Sequence, residues 1–161
     1  RLDFINQSRV ILGGNLEDTK MVEKLYKTRF PTTPVFHTNA TAAEMVKYFA
    51  NCFFACKVSF MNEMYQICEK LGISYDEVIG MVLADGRIGN SHWQVPGHDR
   101  QMGFGGKCFP KDLTALIYHA KELGVDPKVM EASWKKNLEV RKDQDWHRIK
   151  GAISNKTRKK D

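Results

Sequence analysis

MVKYFANCFFACKVSFM, residues 45–61, is apolar around nearly the whole circumference of a helix, and it lies inside a longer helical pattern from Thr41 to Leu71. Thr41 with Glu44 three residues later makes a capping-box arrangement, and Gly72 closes the pattern. A helix of this kind is expected to be buried on most sides and, at this length, to pack against a partner subunit as well. Upstream the character changes. RVILG (9–13) reads as a buried strand, LEDTKMVEKLYKTRF (16–30) places Met21, Leu25 and Val22 on one helical face before Pro31, and PVFHT (34–38) reads as a second short strand. Two strands alone cannot bury both faces of a sheet, so this βαβ-like stretch reads as the last part of a larger α/β domain.

Downstream, ISYDEVIGMVLAD (73–85) reads as a helix capped by Ser74, with Asp76 and Glu77 in its first turn. From Gly86 to Lys107 the chain is rich in Gly, Asn, Pro and charge, a connection long enough to suggest function. Pro110 fits the first position of a helix that ends at Gly124. After Asp126-Pro127 a last helix is expected to run to Lys150, with Met130, Trp134, Leu138, Arg141 and Asp145 at helical spacing. The expected fold class is therefore mainly α. Residues 1–38 form a short α/β remnant, 39–150 a helical domain and 151–161 a basic tail.

A chain of 161 residues with 42% hydrophobic residues is long enough for a buried core. Of its net charge of +6, +4 falls in residues 150–161, where Lys150, Lys156, Arg158, Lys159 and Lys160 stand against Asp161. No aromatic residue is interleaved among them, so a solvated terminus is a better reading than a nucleic-acid interface. No stretch approaches the roughly 20 uninterrupted apolar residues of a membrane span, and no apolar signal core opens the chain. Cys52, Cys56, Cys68 and Cys108 follow no CxxC or Cys/His ligand spacing. The expectation is reduced thiols in a cytoplasmic setting, with no metal. Cys52 and Cys56, one turn apart, admit a metal grip or core packing; no further ligand lies at suitable spacing, which favours packing. The chain opens on Arg and enters directly on the approach to a strand, as a cut chain would.

The chemistry concentrates in GFGGKCFPKD, residues 103–112. Gly103, Gly105 and Gly106 let the backbone approach a ligand closely, with amides able to donate to an anion or a carbonyl oxygen. Cys108 follows at the mouth of a helix and beside Lys107 and Lys111, each of which favours thiolate over thiol. Asp112 reads either as a helix-stabilising carboxylate or as a group that orients a water beside the sulfur. Lys47 and Asn51, one turn apart among Tyr48, Phe49, Cys52 and Phe53, are either a snorkelling lysine with a satisfied amide or a pair that holds an oxyanion. Arg87 by itself reads as a surface arginine.

AEMVKYFANCFFACKVSFMNE (43–63), DGRIGN (85–90) and GFGGKCFPKDLTALI (103–117), in that order, resemble the central region of the UDP-glucose/GDP-mannose dehydrogenase family. The resemblance implies an NAD-dependent oxidoreductase of nucleotide-sugar metabolism and polysaccharide biosynthesis. Such enzymes oxidise a sugar C6 alcohol twice, as in UDP-glucose to UDP-glucuronate, through a Cys-linked thiohemiacetal and thioester. It implies that Cys108 is the nucleophile, that Lys47 and Asn51 contact the reacting oxygen or a catalytic water, and that Asp112 assists proton transfer. It implies further that Arg87 reaches a nucleotide sugar bound by a neighbouring subunit, that the loop through Phe104 and Gly105 covers the substrate, and that Cys108 and Lys111 face the nicotinamide.

The implied fold is a helical dimerisation domain like the C-terminal domain of 6-phosphogluconate dehydrogenase, forming a homodimer. The family's dinucleotide-binding domain would precede Arg1 and its nucleotide-sugar domain would follow near residue 150, so this chain alone is expected to be inactive. The loop VPGHDRQMGFGG (95–106) is longer than in bacterial UDP-glucose enzymes, which bears on the choice of sugar. GDP-mannose or UDP-N-acetyl-sugar oxidation, and a non-catalytic dimerisation module, are the alternatives.

Overall fold

The computed structural model describes residues 7–153. Residues 1–6, and residues 154–161 of the expected basic tail, lie outside the described residues. The chain forms two compact units, Arg1–Phe49 and Ala50–Asp161.

In the first unit, strands β1 (Val10–Gly13) and β2 (Val35–Thr38) pair in parallel, Val10 opposite Val35 and Gly13 opposite Thr38, joined through helix α1 (Leu16–Arg29). Asn15 caps α1, its side-chain oxygen accepting from the Asp18 amide at 2.9 Å. Val10 and Thr19 are buried, but Met21, Leu25 and Val22 are exposed. The apolar face that the sequence groups together is therefore uncovered, because a two-stranded sheet offers too little surface to take it.

Helix α2 (Ala40–Leu71) starts before its expected cap. Asn39, not Thr41 with Glu44, caps it: the Asn39 Oδ1 accepts from the Ala42 amide at 2.8 Å, and Thr41 is already inside the helix. The expectation of burial on most sides also fails. Cys52, Ala55, Ser59, Met61, Asn62 and Cys68 face the core, whereas Phe53, Phe60 and Ile67 are exposed.

The second unit adds α3 (Tyr75–Ala84), α4 (Cys108–Glu122) and α5 (Lys128–Val140), so the architecture is mainly α with one small parallel sheet. Ser74 caps α3, its Oγ accepting from the Glu77 amide at 3.3 Å, as the sequence suggests. Helix α4 begins at Cys108, two residues ahead of Pro110, which still falls among the first residues, whose N–H groups have no helical partner. Helix α5 stops at Val140 instead of reaching Lys150. Arg141 turns extended (φ −83°, ψ 108°), and only a short 3-10 turn, Asp145–His147, follows. Tertiary contacts win there over helical continuation: Trp146 becomes fully buried and the Arg141 side chain is drawn inside.

Two clusters make the core of this unit. Met61, Cys68, Tyr75, Ile79 and Val95 form one; Cys52, Ala55, Phe104 and Leu113 form the other, with Phe109, Met130 and Trp134 packed against it. Val95 and Phe104 come from the long connection between α3 and α4, so that irregular segment is stitched into the core at two points. Among the described residues, no helix is long and apolar enough to cross a membrane.

Candidate active site

Cys108 is the first residue of α4, at the helix end whose N–H groups have no helical partner, and it is exposed. One turn along, on the same face, stands Asp112, whose side chain is 1% exposed. A carboxylate so removed from water is costly unless it is paired. Here the Asn51 amide Nδ2 donates to Asp112 Oδ2 at 2.5 Å from α2, and the Lys111 ammonium pairs with the other carboxylate oxygen. Asp112 is therefore the buried junction of α2 and α4 and not a solvated helix-end charge.

Lys111 is half-buried. Lys47, one turn before Asn51 along α2, belongs to the first unit and is exposed. Cys52, next to Asn51, is buried where Cys108 is exposed: burial, then Cys56 and Asp112, push the Cys52 thiol up to about 12, and it packs as an inert core residue. Among the described residues, no group of three His, Cys, Asp or Glu side chains could hold a metal ion.

The loop leading into Cys108 is held from inside. The Gly103 amide donates to Asn62 Oδ1 at 3.0 Å, and the Phe104 amide donates to Asn137 Oδ1 at 2.7 Å. Asn137 Nδ2 in turn donates to the Phe104 carbonyl at 3.0 Å, and the Gly106 amide donates to both Asp145 oxygens at 3.0 Å. The expectation that the amides of Gly103 and Gly106 face a ligand is thus corrected: both are committed to side chains of the chain itself.

The need for glycine also comes from within. A Cβ on Gly103 would fall 2.3 Å from Asn137 Oδ1, and one on Gly105 would fall 2.2 Å from Arg141 Nη2. The Phe104 ring is a core residue at 5% exposure, packed edge-on to Phe109 and against Trp134. Any part that Phe104 plays toward a substrate therefore runs through the backbone it shares with Gly105. A cleft of about 710 Å³ is lined by Gly103, Gly105, Gly106, Phe109 and His92 among others; Cys108, Asn51 and Asp112 are not among its lining residues. The His92 ring stacks on Phe54 at 4.1 Å, and burial, then Lys57 and His98, lower its pKa.

Arg87 lies elsewhere. Its exposed guanidinium pairs with Asp85, and it lines a separate groove with Phe53 and Phe60 of α2 and Val129 of α5. The turn that follows it is pinned by Lys57, whose Nζ donates to the carbonyls of Ile88 and Gly89 at 2.9 Å each.

Sequence reasoning missed Asn62, Asn137 and Asp145 as anchors. For Asn137 a signal existed: Met130, Trp134, Asn137 and Arg141 step by four, three and four, which sets an amide and a guanidinium on the face that buries Trp134.

The central-domain description of the UDP-glucose/GDP-mannose dehydrogenase family matches residues 41–139, more than half of the chain. The chain belongs to the UDP-glucose/GDP-mannose dehydrogenase family. It is 39% identical over 131 residues to UDP-glucose 6-dehydrogenase TuaD of Bacillus subtilis (strain 168), covering 81% of this chain and 27% of that protein. It is 35% identical over 147 residues to the UDP-glucose 6-dehydrogenase of Drosophila melanogaster, covering 88% and 29%. A solved UDP-glucose dehydrogenase from the hyperthermophilic archaeon Pyrobaculum islandicum superposes with a TM-score of 0.76 at 32% identity, over 86% of this chain and 31% of that one. The chain thus spans under a third of the length of these members of the UDP-glucose/GDP-mannose dehydrogenase family. The family match takes in Asn51, Cys108, Asp112 and Asn137 and stops short of Arg141 and Asp145.

Proposed function

We propose that the chain is the central piece of an NAD-dependent UDP-glucose 6-dehydrogenase that makes UDP-glucuronate, with Cys108 as its covalent nucleophile. Within it, residues 1–38 end the NAD-binding domain, 39–150 form the catalytic and dimerisation domain, and 151–161 form a basic tail. The observation that carries the reading is an exposed cysteine at a helix mouth, one turn from a buried carboxylate that a second helix holds by an amide.

Once the C6 alcohol has been oxidised to the aldehyde, Cys108 Sγ adds to the carbonyl carbon. The S–C bond forms, the thiol gives up its proton and the carbonyl oxygen gains one, giving a thiohemiacetal. Two-electron oxidation of that carbon leaves a thioester; water then adds, the C–S bond breaks, and acid and thiol are released. NAD, when bound, supplies the two-electron acceptor for each oxidation. Cys108, through its exposed sulfur, and Lys111, held by Asp112, would be the residues that face the nicotinamide of NAD. The Lys47 ammonium and the second Asn51 N–H donate to the developing oxyanion, and Asp112 orients the hydrolytic water and takes its proton. The backbone of Phe104 and Gly105 covers the sugar.

Phe53, Phe60 and Ile67, spaced seven apart and exposed along α2, support a homodimer, in which the exposed Arg87 reaches a nucleotide sugar of the neighbouring subunit. The names of the relatives favour UDP-glucose over GDP-mannose or a UDP-N-acetyl sugar; a cytoplasmic setting is the one in which a free Cys108 thiol stays reduced. The test is UDP-glucuronate formation by the full-length parent. Cys108→Ser is expected to lower kcat by at least about 10³-fold, the order of loss when a covalent nucleophile is removed, and unchanged turnover rejects the reading.

A further inference from the structure

We infer that Asn137 and Asp145 are positioning residues that fix where Cys108 presents its sulfur, an inference that rests on the reading of Cys108 as nucleophile. Helix α4 has no cap of its own: Lys107, at the cap position, makes no side-chain hydrogen bond to the helix. The start of the helix is therefore placed by its neighbours. Downstream the tether is Asn51 to Asp112, one turn past the sulfur. Upstream, two residues before Cys108, the Gly106 amide is gripped by both oxygens of Asp145, and Asn137 engages the amide and the carbonyl of Phe104.

Asn137 is fully buried, and the buried Arg141 guanidinium lies against Gly105, with Nη2 3.7 Å from Asp145 Oδ1. A loop that needed only burial would be served by apolar packing, which Phe104 already provides. Buried polar groups that are fully satisfied specify one geometry; Asn62 and Asn137 act in this way on Gly103 and Phe104, and the partly exposed Asp145 adds a third hold at Gly106. Because α5 ends at Val140, the chain can turn back and bring Asp145 to the loop, where a continued helix would have carried it onward. The outcome is a nucleophile clamped on both sides: downstream through Asn51 and Asp112 of the reacting site, and upstream through Asn137 and Asp145, whose part is positioning alone.

In the full-length parent enzyme, Asn137→Ser and Asp145→Asn are compared with Cys108→Ser and with Ile79→Val, a buried change in the other core cluster. Four quantities are measured: kcat, KM for UDP-glucose, melting temperature, and the rate at which iodoacetamide alkylates Cys108 well below melting. Misplacement of a reacting group by about 1 Å can cost about 10²-fold, so Asn137→Ser is expected to lower kcat by about that factor with KM changed less than about threefold. Asp145→Asn keeps one acceptor for Gly106 and is expected to lower kcat by about tenfold.

Both variants are expected to change the alkylation rate, while Ile79→Val moves the melting temperature and leaves kcat alone. Wild-type kcat and alkylation rate in the two variants, whatever their melting temperatures, overturn the inference. If Asn137→Ser yields no folded protein, Asp145→Asn decides alone. Intact turnover in Cys108→Ser removes the nucleophile reading and the inference together. Loss in Cys108→Ser, with wild-type kcat in Asn137→Ser and Asp145→Asn, removes only the inference.

Discussion

Helix α2 runs regularly for 32 residues yet leaves Phe53 and Phe60 57% and 53% exposed, whereas the irregular segment between α3 and α4 buries Val95 and Phe104 to 6% and 5%. The difference lies in where backbone polar groups find partners. A helix satisfies its own, so its side chains are free to face outward. A loop can enter the core only if something else answers its amides and carbonyls. Here the helices do so with side chains: Tyr75 Oη donates to the Trp93 carbonyl at 2.6 Å, Lys57 holds Ile88 and Gly89, and Asn62, Asn137 and Asp145 hold residues 103–106. Order in the loop is borrowed from the helices, and the helices in turn take part of their core from the loop.

The contrast is broken most sharply at two glycines. Gly105→Ala sets a methyl into the Arg141 guanidinium and is expected to destabilise the fold by about 1–3 kcal/mol, the usual range for overpacking. Gly80→Ala, inside α3 with nothing within 4 Å, is expected to stabilise it by about 0.5–1 kcal/mol. Urea unfolding followed by tryptophan fluorescence measures both, and equal effects would show that the loop is not held as described.

A smaller effect concerns Asp99, which pairs with Arg141 at 2.7 Å. Burial pulls the Asp99 pKa up, but the Arg141 hydrogen bond, the Gln101 amide and the charge of Arg141 outweigh it and hold the group below its ordinary 3.8. The unfolded chain therefore takes up this proton first as pH falls. The contribution is whole above about pH 4 and is lost as pH drops through the lower folded value. Asp99→Asn is expected to flatten the acid limb of the urea midpoint against pH, modestly, because the carboxylate is half exposed. The smallest effect on the fold is expected from Phe60→Ser on the outer stripe of α2, within about 0.5 kcal/mol. The same change is expected to weaken self-association in sedimentation equilibrium, and an unaltered dimer would show that the stripe is not the contact.

Much of the second unit was legible residue by residue. The periodicity of 41–71 marks α2, Ser74 marks the start of α3, and the string around Cys108 marks both a helix mouth and the family. What misled was local plausibility. Thr41 and Glu44 have the right spacing for a cap, but Asn39 takes the position; Arg141 and Asp145 continue the helical register, but their charges are used elsewhere. Met21 and Leu25 share a face that nothing in the first unit covers.

By itself the amino-acid sequence determined the mainly helical character, the family and the place of Cys108 at a helix mouth, because periodicity, capping chemistry and a ten-residue string are local properties of the chain. Only the tertiary structure decided that Asp112 is buried against Asn51, that Phe104 is core, and that the glycines before Cys108 yield to side chains of the chain itself. Those facts join residues as far as 61 positions apart, and such pairings exist only once the helices have packed.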